Sequence, residues 1–216
     1  MTSEECLVFL KPDATLRRKV GAAILQEFLN NRDLSILAFQ EISVTEELAE
    51  KHYQEHEGKP FFPWLVKSVC TAPVLAMIVQ GSIQDIRTFL GATFVQKADS
   101  NTIRGKYGIW GGVNSVHCSD SIESGLRELE LWKNLANLHE DSNAIKNIKA
   151  YVKKWIKCKK DSTLQLRELC RTLSENSDVI DQVKEQLIVL LKEDCPEITE
   201  ELIENFTDVI VENVLL

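Results

Sequence analysis

The chain has 216 residues, 44% of them hydrophobic, which is enough for one well-filled core and a second small unit and too apolar for wholesale disorder. A formal net charge of -8 and a pI near 5.1 argue against a nucleic-acid binder, so any phosphate site has to be built from a few convergent Lys and Arg. No apolar run is long enough to span a bilayer and the acidic start does not read as a leader; six cysteines without a Cys-x-x-Cys pair point to reduced thiols in a cytoplasmic protein, not to zinc.

Residues 6–10 are a short apolar run stopped by Lys11-Pro12-Asp13, which predicts a buried strand. Val20, Ile24, Leu25, Phe28 and Leu29 then recur at helical spacing, and Asn30-Asn31 ends that helix. Residues 34–44 predict a second strand. Thr45 is placed to cap a helix whose first turn carries Glu46 and Glu47, at the positive end of its dipole. That helix holds His52 and Tyr53 and breaks at Gly58-Lys59-Pro60. Residues 61–69 predict another short helix, and residues 74–79, nearly all apolar, a central strand. Gly81 precedes a helix through Ile86 and Leu90. Residues 91–103 show no periodicity and predict a loop. Residues 104–113, with glycines at 105, 108, 111 and 112, predict irregular backbone close to a ligand or another segment. The glycine pattern fits neither a Walker loop nor a Rossmann fingerprint. Residues 114–117 predict a last short strand, and Asp120-x-x-Glu123 a capping box opening a helix through Leu126, Leu129 and Trp132. This order predicts an α+β sandwich with helices covering one face of a mostly antiparallel sheet.

After Trp132 glycine disappears and the sequence turns helical. From position 146 to 171 there are nine Lys or Arg against Asp161 and Glu168; from 175 to 212 there are two Lys against twelve Asp or Glu. A basic stretch followed by an acidic one predicts that the two pack on each other. Val179, Val183, Leu187 and Leu190 mark one amphipathic helix, broken at Asp194-Cys195-Pro196. Pro196 is suited to open the next, marked by Ile198, Leu202, Phe206, Val209 and Ile210, so the simplest expectation is a helical hairpin. The division expected is 1–137 and a helical extension, 138–216.

Four separated pieces carry a resemblance: Lys11-Pro12-Asp13 with Gly21; His52-Tyr53 followed by Lys59-Pro60-Phe61-Phe62; Thr102-Ile103-Arg104-Gly105; and Asn114-x-x-His117-x-Ser119-Asp120-Ser121. In this order and spacing the first three-fifths of the chain resembles the nucleoside diphosphate kinases. The resemblance implies a ferredoxin-like βαββαβ sandwich followed here by an all-helical extension. It implies ping-pong transfer of a γ-phosphate between nucleotides through a phosphohistidine at His117. An imidazole suits that task because it is substantially neutral at pH 7 and keeps a ring nitrogen free to attack. By the same resemblance, Glu128 and Ser119 orient the ring, Lys11 and Asn114 hold sugar hydroxyl and phosphates, and Tyr53 lies against the nucleophile. Arg87, Thr93 and Arg104 grip phosphates, Phe61 and Leu65 form the base pocket, and Mg²⁺ arrives on the nucleotide's phosphates. His52, His56 and His139 read as ordinary surface or partly buried histidines.

The chain departs from that pattern in four places. The loop after Thr93 lacks the family's two prolines. That loop serves the family's trimer contacts, so a homo-oligomer is expected but a hexamer is an open question. Gly111 stands where the family has an apolar residue closing the base pocket; by area a buried valine contact is worth ~1–2 kcal/mol, implying about tenfold weaker nucleotide binding. Cys118 stands in a glycine position, where a thiol beside the nucleophile implies sensitivity to oxidation. The extension is either a helical add-on packed on its own domain or a docking module. The second option pairs with an alternative function, a nucleotide-binding or scaffold pseudoenzyme.

Overall fold

The computed structural model describes residues 4–158, 160–195 and 197–216. In chain order they form β1 (Glu4–Leu10), α1 (Pro12–Leu16), α2 (Arg18–Asn30), β2 (Ser35–Ile42), α3 (Glu46–His52), α4 (Phe62–Cys70), β3 (Val74–Gly81), α5 (Ile83–Leu90), α6 (Ile103–Tyr107), β4 (Val116–Cys118) and α7 (Ile122–Ala136). The extension contributes α8 (Ala144–Trp155), α9 (Thr163–Glu175), α10 (Ile180–Asp194) and α11 (Glu200–Leu215).

The four strands lie in the order β2-β3-β1-β4, every neighbouring pair antiparallel. That is the ferredoxin-like arrangement, and it makes β1 and β3 the interior strands, as their apolar runs require. Alternation along β1 then sorts two cores. Cys6, Val8 and Leu10 face α2, α5 and α8 with Met77 and Val79 of β3. Leu7 and Phe9 face α3 and α7 with Ala76 and Ile78. Helices therefore cover both faces of the sheet, not one as the sequence suggested. The reason is that both faces of β1 and β3 are apolar and both need a cover.

Local chemistry explains the element ends. Thr45 accepts from Leu48 N and caps α3 as expected. The box that opens α7 is not Asp120-x-x-Glu123 but Ser121 with Ser124, each hydroxyl taking the other's backbone N–H. The segment read as irregular contains α6, started by Thr102 accepting from Gly105 N. The last strand sits two residues later than expected, on Val116–Cys118, and His117 pairs with Phe9 in its register.

The extension differs most from expectation. The hairpin is a three-helix unit: α9 packs on α10 and α11, and α10 on α11. Only the α9 half of the basic stretch meets the acidic helices, for instance where Lys160 pairs with Glu193 at 2.5 Å. The α8 half turns away and packs on α2 and β2, because Ile148 and Val152 belong to the core beneath α2. The reading of Pro196 as a helix opener lies outside the described residues; α11 itself starts after Thr199, which caps it. Leu166, Cys170, Leu187, Phe206 and Val209 share one core with Leu16, Trp64, Ile109 and Val113 of the first part.

Candidate active site

His117 lies on the side of the sheet that faces α3 and α7, stacked on Phe9 with ring centroids 4.6 Å apart. α7 brings Glu128 against it. His117 Nε2 lies 2.9 Å from Glu128 Oε2, and Ser119 Oγ donates to the same oxygen at 2.8 Å. Burial alone raises the pKa of Glu128, but the adjacent His117 and the Ser119 hydroxyl outweigh it and hold the carboxyl at about 2. An ionised Glu128 only accepts, so Nε2 carries the ring proton and Nδ1 keeps a free lone pair. The ring remains reachable, with 17% of its side chain exposed.

His52 is the residue that sequence reading undervalued. It is buried, and its ring stands edge-on to His117 at 4.5 Å and to Tyr53 at 4.6 Å. Trp132 Nε1 donates to its Nδ1 at 3.3 Å. Burial, then the neighbouring His117, push its pKa down to about 3, so it is neutral beside the nucleophile position. The sequence signal was its helical i, i+4 relation to Leu48 on the inward side of α3. His56 and His139 are partly or fully exposed, as expected.

A second group forms around the loop after β1. Lys11 Nζ donates to Gly112 O at 3.1 Å. Burial, offset in part by Asp13 and reinforced by Arg104, lowers its pKa to about 8. Asp13, quoted in the motif but given no role, is buried; it accepts from Ser115 Oγ at 2.8 Å and pairs with Arg17 at 3.6 Å. With Lys11 N donating to Ser115 O, this ties the Lys-Pro-Asp loop to the segment before His117. Ser115 pays for the tie in backbone strain, at φ 71°. Arg104 donates to Gly91 O and Val116 O, at 2.8 and 2.9 Å, bridging the loop after α5 to β4. Burial and then the positive charge of Arg87 lower its pKa to about 10. Asn114 Nδ2 donates to Thr93 O at 2.7 Å. Thr93 itself is exposed. Phe61 and Leu65 stand at the start of α4, Phe61 38% exposed and Leu65 half-buried.

Four buried polar atoms in these two groups have no partner: His52 Nε2, Tyr53 Oη, Arg104 Nε and Asn114 Oδ1. Buried donors and acceptors without a protein partner call for a water or a ligand to complete them. Two expectations change. Cys118 alternates to the opposite side of β4 from His117; it is buried, with its Sγ 4.0 Å from Cys6 Sγ, so its thiol is not beside the nucleophile position. Gly111 does not leave a gap: Asn213 of α11 fills the side from which a Cβ would project. Nothing in the sequence placed Asn213 there, because 102 positions separate the two.

The family model for nucleoside diphosphate kinase matches residues 4–138. A nucleoside diphosphate kinase of Methanothermobacter thermautotrophicus is 45% identical over 131 residues, 60% of this chain and 86% of that one. One from Mycobacterium marinum is 46% identical over 133 residues, 60% of this chain and 96% of that one. Among solved structures, a halophilic nucleoside diphosphate kinase from Halobacterium salinarum in complex with CDP is 34% identical, with a TM-score of 0.57 over 68% of this chain and 98% of that one. The Aquifex aeolicus enzyme is 31% identical, with a TM-score of 0.58 over 64% of this chain and all of the other. The match covers the sheet, α1 to α7 and every group described above except Asn213. The chain belongs to the nucleoside diphosphate kinase family and is a nucleotide-binding phosphotransferase.

Proposed function

We propose that this chain carries a γ-phosphate from a nucleoside triphosphate to a nucleoside diphosphate through a phosphohistidine at His117. The observation that carries the reading is the 2.9 Å contact of His117 Nε2 with an ionised Glu128, which leaves Nδ1 as the attacking nitrogen. Nδ1 bonds to the γ-phosphorus, and the bond to the β–γ bridging oxygen breaks, its electrons leaving with the diphosphate. In the second half-reaction an oxygen of the acceptor's terminal phosphate attacks the same phosphorus and Nδ1 takes its electron pair back. Glu128, held by Ser119, balances the positive charge that the ring gains between the two steps.

The remaining roles concern positioning and charge, which dominate phosphoryl transfer. Lys11, Arg87 and Arg104 face the phosphates. The open atoms Arg104 Nε, Asn114 Oδ1 and Tyr53 Oη are completed by nucleotide or transferred phosphate, and Thr93 is held in reach by Asn114. Phe61 and Leu65 take the base by apolar contact. A divalent cation belongs to such chemistry, and we assign Mg²⁺. Among the described residues the one cluster of three metal-type donors is His52, His117 and Glu128, of which His117 and Glu128 are bonded to each other and His52 accepts from Trp132. The groups facing phosphate are cationic or neutral, which fits a cation held by the phosphate oxygens, where it supplies charge neutralisation.

The test is a ³²P label from the γ-position of ATP that is acid-labile and base-stable, and that His117→Ala abolishes. A wild-type chain that takes up no label at millimolar Mg-ATP would falsify the reading. The scaffold alternative has no better support: α8 packs on the kinase part, and the apolar sides of α9, α10 and α11 are largely buried against one another and around Trp64, Ile109 and Val113. A homo-oligomer is proposed on family grounds and is read by light scattering as a multiple of the 24.5 kDa chain; a monomer mass overturns it. A cytoplasmic setting is proposed on six cysteines with no disulfide.

A further inference from the structure

Gly112 lies between the C-terminal helix and the lysine of the site. Its N–H donates to Asn213 Oδ1 at 3.0 Å, and its carbonyl accepts from Lys11 Nζ at 3.1 Å. The same Asn213 oxygen lies 2.5 Å from where a Cβ on Gly111 would stand, and Gly111 has φ +48°. The turn is thus shaped for this partner, since a side chain at 111 would be both strained and obstructed. The register of α11 that delivers Asn213 is fixed independently. Trp64 Nε1 donates to Val209 O at 2.9 Å, Lys67 pairs with Glu212 at 2.5 Å, and Phe206 and Val209 close over Lys11, Trp64 and Gly112.

We propose that Asn213 is a positioning residue for the phosphotransfer: by accepting from Gly112 N–H it fixes one side of the glycine whose carbonyl, in the next peptide, aims Lys11 at the transferred phosphate. The proposal rests on the reading of Lys11 given above. It makes the end of the extension a part of the active site, acting through the backbone of one glycine and touching no substrate. A glycine pinned at its N–H alone or its C=O alone can still turn about its φ and ψ; pinned at both, its two flanking peptides are fixed relative to each other and the carbonyl holds the ammonium to one position. Gly111 and Gly112 have no side chains to supply that stiffness, so Asn213 supplies it from 101 residues further on.

Three variants of the full chain separate this from mere docking. Asn213→Leu keeps the size and removes the acceptor. Asn213→Asp keeps the acceptor. Lys67→Ala breaks the exposed ion pair that helps dock α11 and leaves Gly112 untouched. Each is measured for hydrogen exchange at the Gly112 amide, for the rate of His117 labelling, and for kcat and KM with one purine and one pyrimidine diphosphate. Asn213→Leu is expected to deprotect Gly112 and lower kcat about tenfold for both bases with little change in KM. Asn213→Asp is expected to remain within about twofold of wild type, and Lys67→Ala to match it. Equal losses in Asn213→Leu and Lys67→Ala overturn the proposal in favour of docking alone. A loss confined to one base class overturns it in favour of base recognition. Gly112 deprotected with kcat unchanged removes the link to Lys11. A wild-type chain that takes no label overturns the phosphotransfer reading itself, an outcome distinct from all of these.

Discussion

Lys11 is held near the edge of losing its proton, and that has a measurable consequence. Burial and Arg104 lower its pKa to about 8 from 10.5, against the pull of Asp13. A base with a lowered native pKa binds fewer protons folded than unfolded between those two values, so its cost to stability is present below about 8 and relieved as pH rises towards 10.5. A bound phosphate reverses the preference by favouring the ammonium. Nucleotide binding is therefore expected to take up a proton between pH ~8 and ~9, and affinity to fall as pH rises through that range. Calorimetry in two buffers of different ionisation heat reads the proton, and Lys11→Arg is expected to abolish the dependence; an affinity flat to pH ~9.5 would sink the argument. At this scale the sequence was informative where a motif names a residue, as for Lys11, His117 and Asn114. It undervalued His52 as an ordinary histidine, since its neutrality comes from burial under Trp132 and beside His117, and it was misleading on Cys118, because adjacent residues in a strand face opposite sides.

At the scale of elements, periodicity located α2, α7, α10 and α11, while α8 and α9 were legible only as a basic helical stretch. The apolar spacing of α2, α10 and α11 is visible in the sequence because each buries one side only. Short elements escaped. α6 has five residues and two glycines nearby, too little for a period; it exists because Thr102 caps it and Arg104 is bonded at both ends of its reach. The start of α7 offers two overlapping box patterns one residue apart, Asp120/Glu123 and Ser121/Ser124, and only backbone geometry selects the serines. The destination of α8 was equally hidden. Its basic exterior suggested an acidic partner, but surface charge pairs contribute little, whereas burial of Ile148 and Val152 in the core under α2 is worth several kcal/mol, about 1.5–3 for each side chain.

For the whole molecule, the boundary near 137–138 marks where the family match ends, not where packing ends. α8 closes the core under α2, and α9 to α11 complete the one around Trp64, Ile109 and Val113. Polar ties cross the same line: Arg17 donates to Thr163 Oγ1 at 2.7 Å and Arg167 to Gly108 O at 2.7 Å. A chain ending at Asn137 is therefore expected to lose these covers and the Thr163 partner of the buried Arg17, and to aggregate or melt at least ~10 °C below the full chain in circular dichroism. Melting within a few degrees of the full chain would show instead that the first part folds alone. The sequence by itself determined the family, the sheet with its helices and the residues proposed to meet the phosphate, because each of these rests on local spacing or on a motif. Only the tertiary structure decided that the extension is built into the kinase and that Asn213 reaches Gly112 beside Lys11. Contacts between segments a hundred residues apart leave no periodicity, since what selects them is the shape and apolar area of surfaces that exist only once both segments have folded.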